Sequence, residues 1–163
     1  MAHAWLTPVK GFVREGFKGY TSTVEGFIAA KSYLLKNAFE GIAPDLHINP
    51  ALVKVSYGEL PLPANITVHA ATKDTIQFTW STENSTGKRK YDQVMLLAYD
   101  IVNRHAFHQL IGELRKAGSD KVKVHIPEGK VYHLYIAFVS ADRSIQSDSL
   151  YMGTISLQPD EKR

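Results

Sequence analysis

The sequence predicts an α+β protein in which an N-terminal α-helical hairpin, residues 1–45, packs on a C-terminal antiparallel β-sandwich, residues 46–160. Three observations carry that expectation. Apolar side chains recur at three- and four-residue spacing through the first part of the chain. After Pro44 the texture changes to short β-branched runs punctuated by turn residues, the rhythm of a sandwich or barrel. Two of those runs are apolar at both odd and even positions, so the sheet that holds them needs cover on both faces.

Trp5, Leu6, Val9, Phe12, Val13, Phe17 and Tyr20 fall on one stripe of a helix expected to begin near Pro8. Gly11, Gly16 and Gly19 each cost about 1 kcal/mol against alanine in a helix, so this one needs tertiary support. Ser22 followed by Glu25 has capping-box spacing, and Phe27, Ile28, Leu34, Leu35, Ala38 and Phe39 give a second stripe that Gly41 and Pro44 end. The two helices, joined around Gly19 to Thr21, are expected to form an antiparallel hairpin with one apolar side.

Strands are expected near 51–57, 65–70, 75–80, 93–101, 106–111, 122–126, 131–139 and 150–157, separated by Pro61-Leu62-Pro63, Ser85-Thr86-Gly87, Pro127-Glu128-Gly129 and Ala141-Asp142. The stretch from His105 to Ala117 also fits a helix. Ile76, Phe78 and Trp80 alternate with Thr75, Gln77 and Thr79, and Val122, Val124 and Ile126 alternate with polar residues, so these strands have one wet face. By contrast Val94, Leu96 and Ala98 interleave with Met95, Leu97 and Tyr99, and Tyr132, Leu134, Ile136 and Phe138 with Tyr135, Ala137 and Val139. One sheet is therefore wetted outside and the other dry on both sides. The helical hairpin is the amphipathic surface available to cover Met95, Leu97, Tyr135 and Val139; failing that, their face is a dimer or partner interface.

At 163 residues the chain is long enough for one good core, and 44% hydrophobic with 21% charged residues is ordinary globular composition. A formal charge of +3 permits an acidic partner without demanding one. The absence of cysteine excludes disulfides, thiolate metal ligands and a cysteine nucleophile. No run approaches the roughly 18 apolar residues of a membrane helix, and the start, Met1 to Pro8, does not read as a secretory signal, which points to the cytoplasm.

Ile76-Gln77-Phe78-Thr79-Trp80, the run from Tyr132 to Phe138 and Ser147-Asp148-Ser149 before a last strand resemble a fibronectin type III or immunoglobulin-like sandwich, with Tyr132 at the place of the corner tyrosine. The missing disulfide favours the fibronectin variant. More specifically, the runs from Ser32 to Ala38, Val53 to Pro61 and Tyr135 to Ser140 are similar to an uncharacterised Bacteroidetes family of unknown function, over nearly all of residues 5–157. That resemblance implies a fold and a bacterial source; it implies no activity and no catalytic residue.

Motifs for chemistry are sparse. Gly11 to Lys18 nearly spells a phosphate loop, but Phe17 stands where the lysine belongs and the segment reads as helix. Among the seven histidines, His105 and His108 share a face only if helical, while His125 and His133 belong to strands of different sheets; His3, His47 and His69 are scattered. Gly87-Lys88-Arg89-Lys90-Tyr91 with Arg104, Arg115, Lys116, Lys121 and Lys123 has the composition of a nucleic-acid surface, yet Glu83, Glu113 and Asp120 interrupt the charge. Tyr57, Tyr91 and Tyr151 could serve a carbohydrate, while Glu59, Asp92, Asp100 and Glu128 show no spacing that implies a glycosidase pair. Asn65-Ile66-Thr67 and Asn84-Ser85-Thr86 are glycosylation sequons that chance explains.

The sequence therefore points to a non-enzymatic structural or protein-interaction module, with a protein partner or self-association. A carbohydrate or other small-ligand module is the alternative, and an uncommon hydrolase the third reading. No catalytic, cofactor-binding or metal residue is assigned, no cofactor is expected, and the charge pattern argues against nucleic acid.

Overall fold

The computed structural model describes residues 1–20, 24–83, 85–125 and 130–157. Thr21, the Ser22 half of the capping box, Asn84 of the second sequon, Ile126, the Pro127-Glu128-Gly129 turn and the end of the expected sandwich past residue 157 lie outside the described residues.

The first helical stripe is buried as far as Phe17, with Trp5, Leu6, Val9, Phe12, Val13 and Phe17 all core residues, whereas Tyr20, past the end of the helix, is exposed. Its helix starts earlier than expected, however. Helix α1 spans Ala2–Leu6 and α2 spans Lys10–Gly16, with a 3-10 turn at Thr7–Val9 between them. Pro8 sits inside that turn because it has no amide to donate and its ring crowds the carbonyl four residues back, so the α-helical ladder cannot run through it. Helix α3, Gly26–Asn37, is capped by Glu25, whose carboxylate accepts from the Phe27 amide at 3.1 Å and from Arg14 at 3.1 Å.

The second stripe needs correction. Helix α3 buries Phe27, Ala30 and Leu34, and Ala38 just past its end is buried too, while Ile28 and Leu35 are 58% and 53% exposed. Ala29 and Ala30 supply the inward face instead, which rotates the helix by one residue relative to the stripe the larger side chains suggested. Phe39 is not helical either. It begins β1, Phe39–Glu40, which pairs with β2, His47–Ile48, after a turn at Gly41 with φ +85°.

The rest of the chain is mostly antiparallel sheet. Strands β3 (Thr67–Thr72), β4 (Thr75–Thr79) and β7 (Ser119–Lys123) form one sheet in the order β3-β4-β7. Strands β5 (Gln93–Asp100), β6 (His105–Gln109), β8 (Lys130–Val139) and β9 (Leu150–Leu157) form the other in the order β6-β5-β8-β9. The 105–117 segment is thus strand as far as Gln109, followed by a 3-10 turn at Arg115–Ala117, rather than helix.

The expected strand at 51–57 does not form. A 3-10 turn at Pro50–Leu52 leads into extended chain that directs Val53 and Val55 into the core. Its polar groups are taken by side chains and backbone of 147–149: the Val55 amide donates to Ser149 Oγ at 3.0 Å, and Ser56 Oγ donates to the Ser147 carbonyl at 2.7 Å.

Two cores meet across the four-stranded sheet. Val94, Leu96, Ala98, Tyr132, Leu134, Ile136 and Phe138 pack against Ile76, Phe78, Trp80, Val122 and Val124 of the three-stranded sheet. Met95, Leu97, Tyr99, Tyr135, Ala137 and Val139 pack against the three helices. The dry sheet is therefore covered by the N-terminal helices on one side and by the other sheet on the opposite side, and each large side chain so buried contributes roughly 1.5–3 kcal/mol. Polar contacts fix the alignment, with the Tyr99 hydroxyl donating to the Trp5 carbonyl and the Tyr135 hydroxyl to the Pro50 carbonyl, both at 2.6 Å.

Candidate binding surface

At the end of the sheets where β5 begins, two short turns are held together by a buried ion pair. The 3-10 turns Gly87–Tyr91 and Arg115–Ala117 are joined through Asp92 and Arg115, which are 0% and 5% exposed. Arg115 Nε donates to Asp92 Oδ2 at 3.1 Å, and the Arg115 amide donates to the Asp92 carbonyl at 2.6 Å. The Arg115 guanidinium also donates to the Pro61 carbonyl and lies 4.8 Å from the centre of the Phe138 ring. The Trp80 indole donates to the Arg115 carbonyl at 2.7 Å, and Gly118, at φ +77°, ends the turn in a conformation that favours glycine. Burial raises the Asp92 carboxyl above its ordinary range and lowers the Arg115 guanidinium, each opposed by the attraction of the other charge.

That scaffold presents Tyr91, 43% exposed, with the Lys90 and Lys116 ammonium groups 5.1 and 5.3 Å from its ring centre. Lys88 is exposed on the same turn, and Arg89 reaches back to Asp92 at 3.7 Å. The structure thus gathers Lys88, Arg89, Lys90, Tyr91, Arg115 and Lys116 from the basic residues singled out in the sequence. It separates the others. Arg104 approaches the Tyr99 hydroxyl at the far end of β5, roughly 25 Å along the strand, and Lys123 pairs with Asp74 at 3.8 Å beside the outer sheet.

The remaining candidates disperse. His105 and His108, three apart on a strand, point to opposite faces of β6. The His125 ring packs edge-on to Phe107 at 5.5 Å, while His133 Nδ1 lies 2.8 Å from the Tyr151 hydroxyl, where burial lowers its pKa. Among the described residues no group of three or more histidine, aspartate or glutamate side chains is placed to hold a metal ion. Most of the near-phosphate-loop motif is helix α2, following a 3-10 turn rather than a strand. Asp100 accepts from Asn103, Asp92 is in its ion pair, and Glu128 lies outside the described residues.

The three tyrosines do not form a strip. Tyr151 packs on Tyr135 and His133, whereas Tyr57 joins Phe17, Tyr20 and Tyr33 in a cluster beneath the Lys54 ammonium. Beside that cluster Tyr20, Tyr57, Glu59, Ser144 and Gln146 border a cavity of about 350 Å³ that sequence reasoning missed. Its walls come from segments 37 to more than 120 residues apart, and no local spacing signals their meeting.

Residues 1–153 match the model of a family described as "Family of unknown function (DUF6266)". Among solved structures, the chain is similar to the fn3 domain of human collagen alpha-1(XX) chain, determined in solution, at 13% identity over 66% of this chain and 94% of that one, with a TM-score of 0.45. No curated protein matches the sequence.

Proposed function

We propose, for a chain that belongs to DUF6266, a family of unknown function, that it is a non-enzymatic protein-interaction module docking an acidic segment of a partner protein on Tyr91 and the lysines around it. One observation carries this reading: an exposed tyrosine flanked by two ammonium groups, on turns locked by the Asp92–Arg115 pair. Tyrosine is favoured at the energetic centre of interfaces, and a pre-ordered loop loses little entropy on binding. Its hydroxyl and the neighbouring ammonium groups are donors that match a carboxylate. A nucleobase stacking on the ring would have to displace an ammonium already held over it.

Fluorescence anisotropy with a labelled acidic decapeptide, a neutral decapeptide and an oligothymidylate of matched charge tests the reading. The acidic peptide binds in moderate salt, and Tyr91→Ala weakens it about tenfold or more, the loss of a hot-spot aromatic. Lys88→Gln with Lys90→Gln and Lys116→Gln removes the binding. Equal affinity for the oligothymidylate and indifference to Tyr91→Ala overturn the proposal.

Further parts of the same proposal rest on the sequence. They are a fibronectin type III or immunoglobulin-like sandwich over 46–160, a helical hairpin over 1–45 as its lid, a Bacteroidetes source and a cytoplasmic location. Cell fractionation decides the compartment, and light scattering across micromolar concentrations decides whether the chain also self-associates.

A further inference from the structure

The cavity beside Tyr20 is built differently from the Tyr91 turns and calls for a different ligand. It opens where the end of the first helical segment meets the extended chain after Val53 and the turn following Val139, and it holds about 350 Å³, within the roughly 300–1,000 Å³ of small-ligand pockets. Tyr20 is 36% exposed and stands edge-to-face with Tyr57, ring centres 4.8 Å apart at 89°. Phe17 backs both rings, at 5.5 and 6.2 Å, so the aromatic wall cannot swing freely. Ile145, 43% exposed, adds a second apolar surface.

Two planar polar groups complete the lining. Glu59 presents an exposed carboxylate with no ion-pair partner among the described residues. Gln146 is 2% exposed, and its amide is fixed by accepting from the Gly19 amide at 3.1 Å and donating to the Arg143 carbonyl at 3.2 Å. An amide has two donors and two acceptor lone pairs, so Gln146 keeps capacity beyond those bonds.

Charge narrows the ligand. An anion meets Glu59. The Tyr57 ring already carries the Lys54 ammonium at 4.9 Å, itself paired to Asp148 at 3.0 Å, so a second cation on that ring is disfavoured. What suits the site is a neutral molecule with an apolar face and adjacent hydroxyls, which is the chemistry of a pyranose ring. We infer that this cavity is a saccharide subsite, in which Tyr20 receives the C–H face of one neutral sugar ring while Glu59 and Gln146 bind its hydroxyl groups. It is independent of the peptide-docking proposal, since it shares no residue with the Tyr91 turns.

Amide NMR titration of the full chain with glucose, galactose, mannose and N-acetylglucosamine tests it, with choline and acetate as charged comparators. At least one sugar gives saturable shifts at Gly19, Gly58 and Ser144. Tyr20→Ala weakens that sugar about tenfold or more, and Glu59→Gln weakens it severalfold, whereas Tyr91→Ala leaves it unchanged. Tyr20→Ala counts only with wild-type dispersion of the spectrum; Glu59→Gln, on an exposed side chain, serves if it does not fold. The inference is overturned if none of the sugars saturates these amides, if choline or acetate binds there in preference, or if Glu59→Gln binds as the wild type does.

Discussion

The Tyr99 hydroxyl donates to the main-chain carbonyl of Trp5 at 2.6 Å, and the two rings meet edge-to-face at 4.9 Å. This contact ties the helical layer to the end of β5, one of the two inner strands of the four-stranded sheet. The carbonyl belongs to the last turn of α1, where a helix leaves acceptors without intrahelical partners. Burial also raises the Tyr99 pKa, keeping the hydroxyl a donor. Tyr99→Phe keeps the ring and strands the carbonyl, so it should destabilise the protein by about 1–3 kcal/mol. Urea unfolding should show a lower midpoint with an unchanged slope; a wild-type midpoint would mean that the bond contributes nothing net.

Gly16 separates intrinsic helix propensity from packing. In an isolated helix, alanine is favoured over glycine by about 1 kcal/mol. Here a Cβ on Gly16 would collide with the Val55 carbonyl and lie 2.8 Å from Ser56 Cα, where the Tyr57 amide also donates to the Gly16 carbonyl at 3.0 Å. The crossing segment would have to move away from the helices. Gly16→Ala should therefore destabilise, by about 1–3 kcal/mol as overpacking does. A raised melting temperature would show that residues 53–57 yield more easily than their contacts imply.

Burial on both faces leaves a local trace, which is why the 93–101 and 131–139 strands could be read directly: apart from Gln93, Asp100 and His133, apolar or aromatic residues stand at both odd and even positions. One-sided helices are less explicit. Ile28 and Leu35 lie one residue away from the buried stripe, and small Ala29 and Ala30 fill the inner face without announcing it. Val53 and Val55 alternate like a strand, yet the amide of Val55 is satisfied by Ser149, 94 residues later, so no neighbouring strand is needed. Arg115 resembles a solvated surface charge until Asp92, 23 positions earlier, is placed beside it. The basic turn at Gly87–Tyr91 and Lys116 are visible as composition; that Lys116 joins the turn while Arg104 and Lys123 lie elsewhere is not.

The Asp92–Arg115 pair should behave as a coupled unit. Arg115→Met removes the cation and leaves a carboxylate in a dry site, a loss of about 3–5 kcal/mol. Adding Asp92→Asn to that variant removes the stranded charge and should recover much of the loss, a coupling that a double-mutant cycle by urea unfolding measures. The pH dependence has a definite sign. Burial raises the folded Asp92 pKa above 3.8, and losing Arg115 raises it further. Its contribution to stability is fully present below 3.8 and is lost as pH rises through the folded value, so the deficit of Arg115→Met should narrow on acidification. Additive single effects with a constant deficit would contradict this account.

Asp142 should show the opposite sign. Its carboxylate accepts from the Ser144 and Ser140 hydroxyls at 2.7 Å each and from the Ser144 amide at 3.1 Å, organising the turn after β8. Ser144 first and then Ser140 lower its pKa from 3.8 to about 2. A depressed carboxylate stabilises the fold above 3.8, and that contribution disappears as pH falls through about 2. Asp142→Asn lacks the charge throughout. The difference in urea midpoint between wild type and Asp142→Asn should therefore be full at neutral pH and shrink between 3.8 and about 2. A carboxyl titration by NMR should place Asp142 near the bottom of that window. The adjoining residue makes the same turn sensitive to sequence: Arg143, at φ +60°, donates to Glu15 at 2.8 Å, to Gln93 at 3.0 Å and to the Leu110 carbonyl at 3.2 Å. If the midpoint difference stays constant across the window, the serine hydroxyls do not hold Asp142 in its charged form, and Arg143 alone organises the turn.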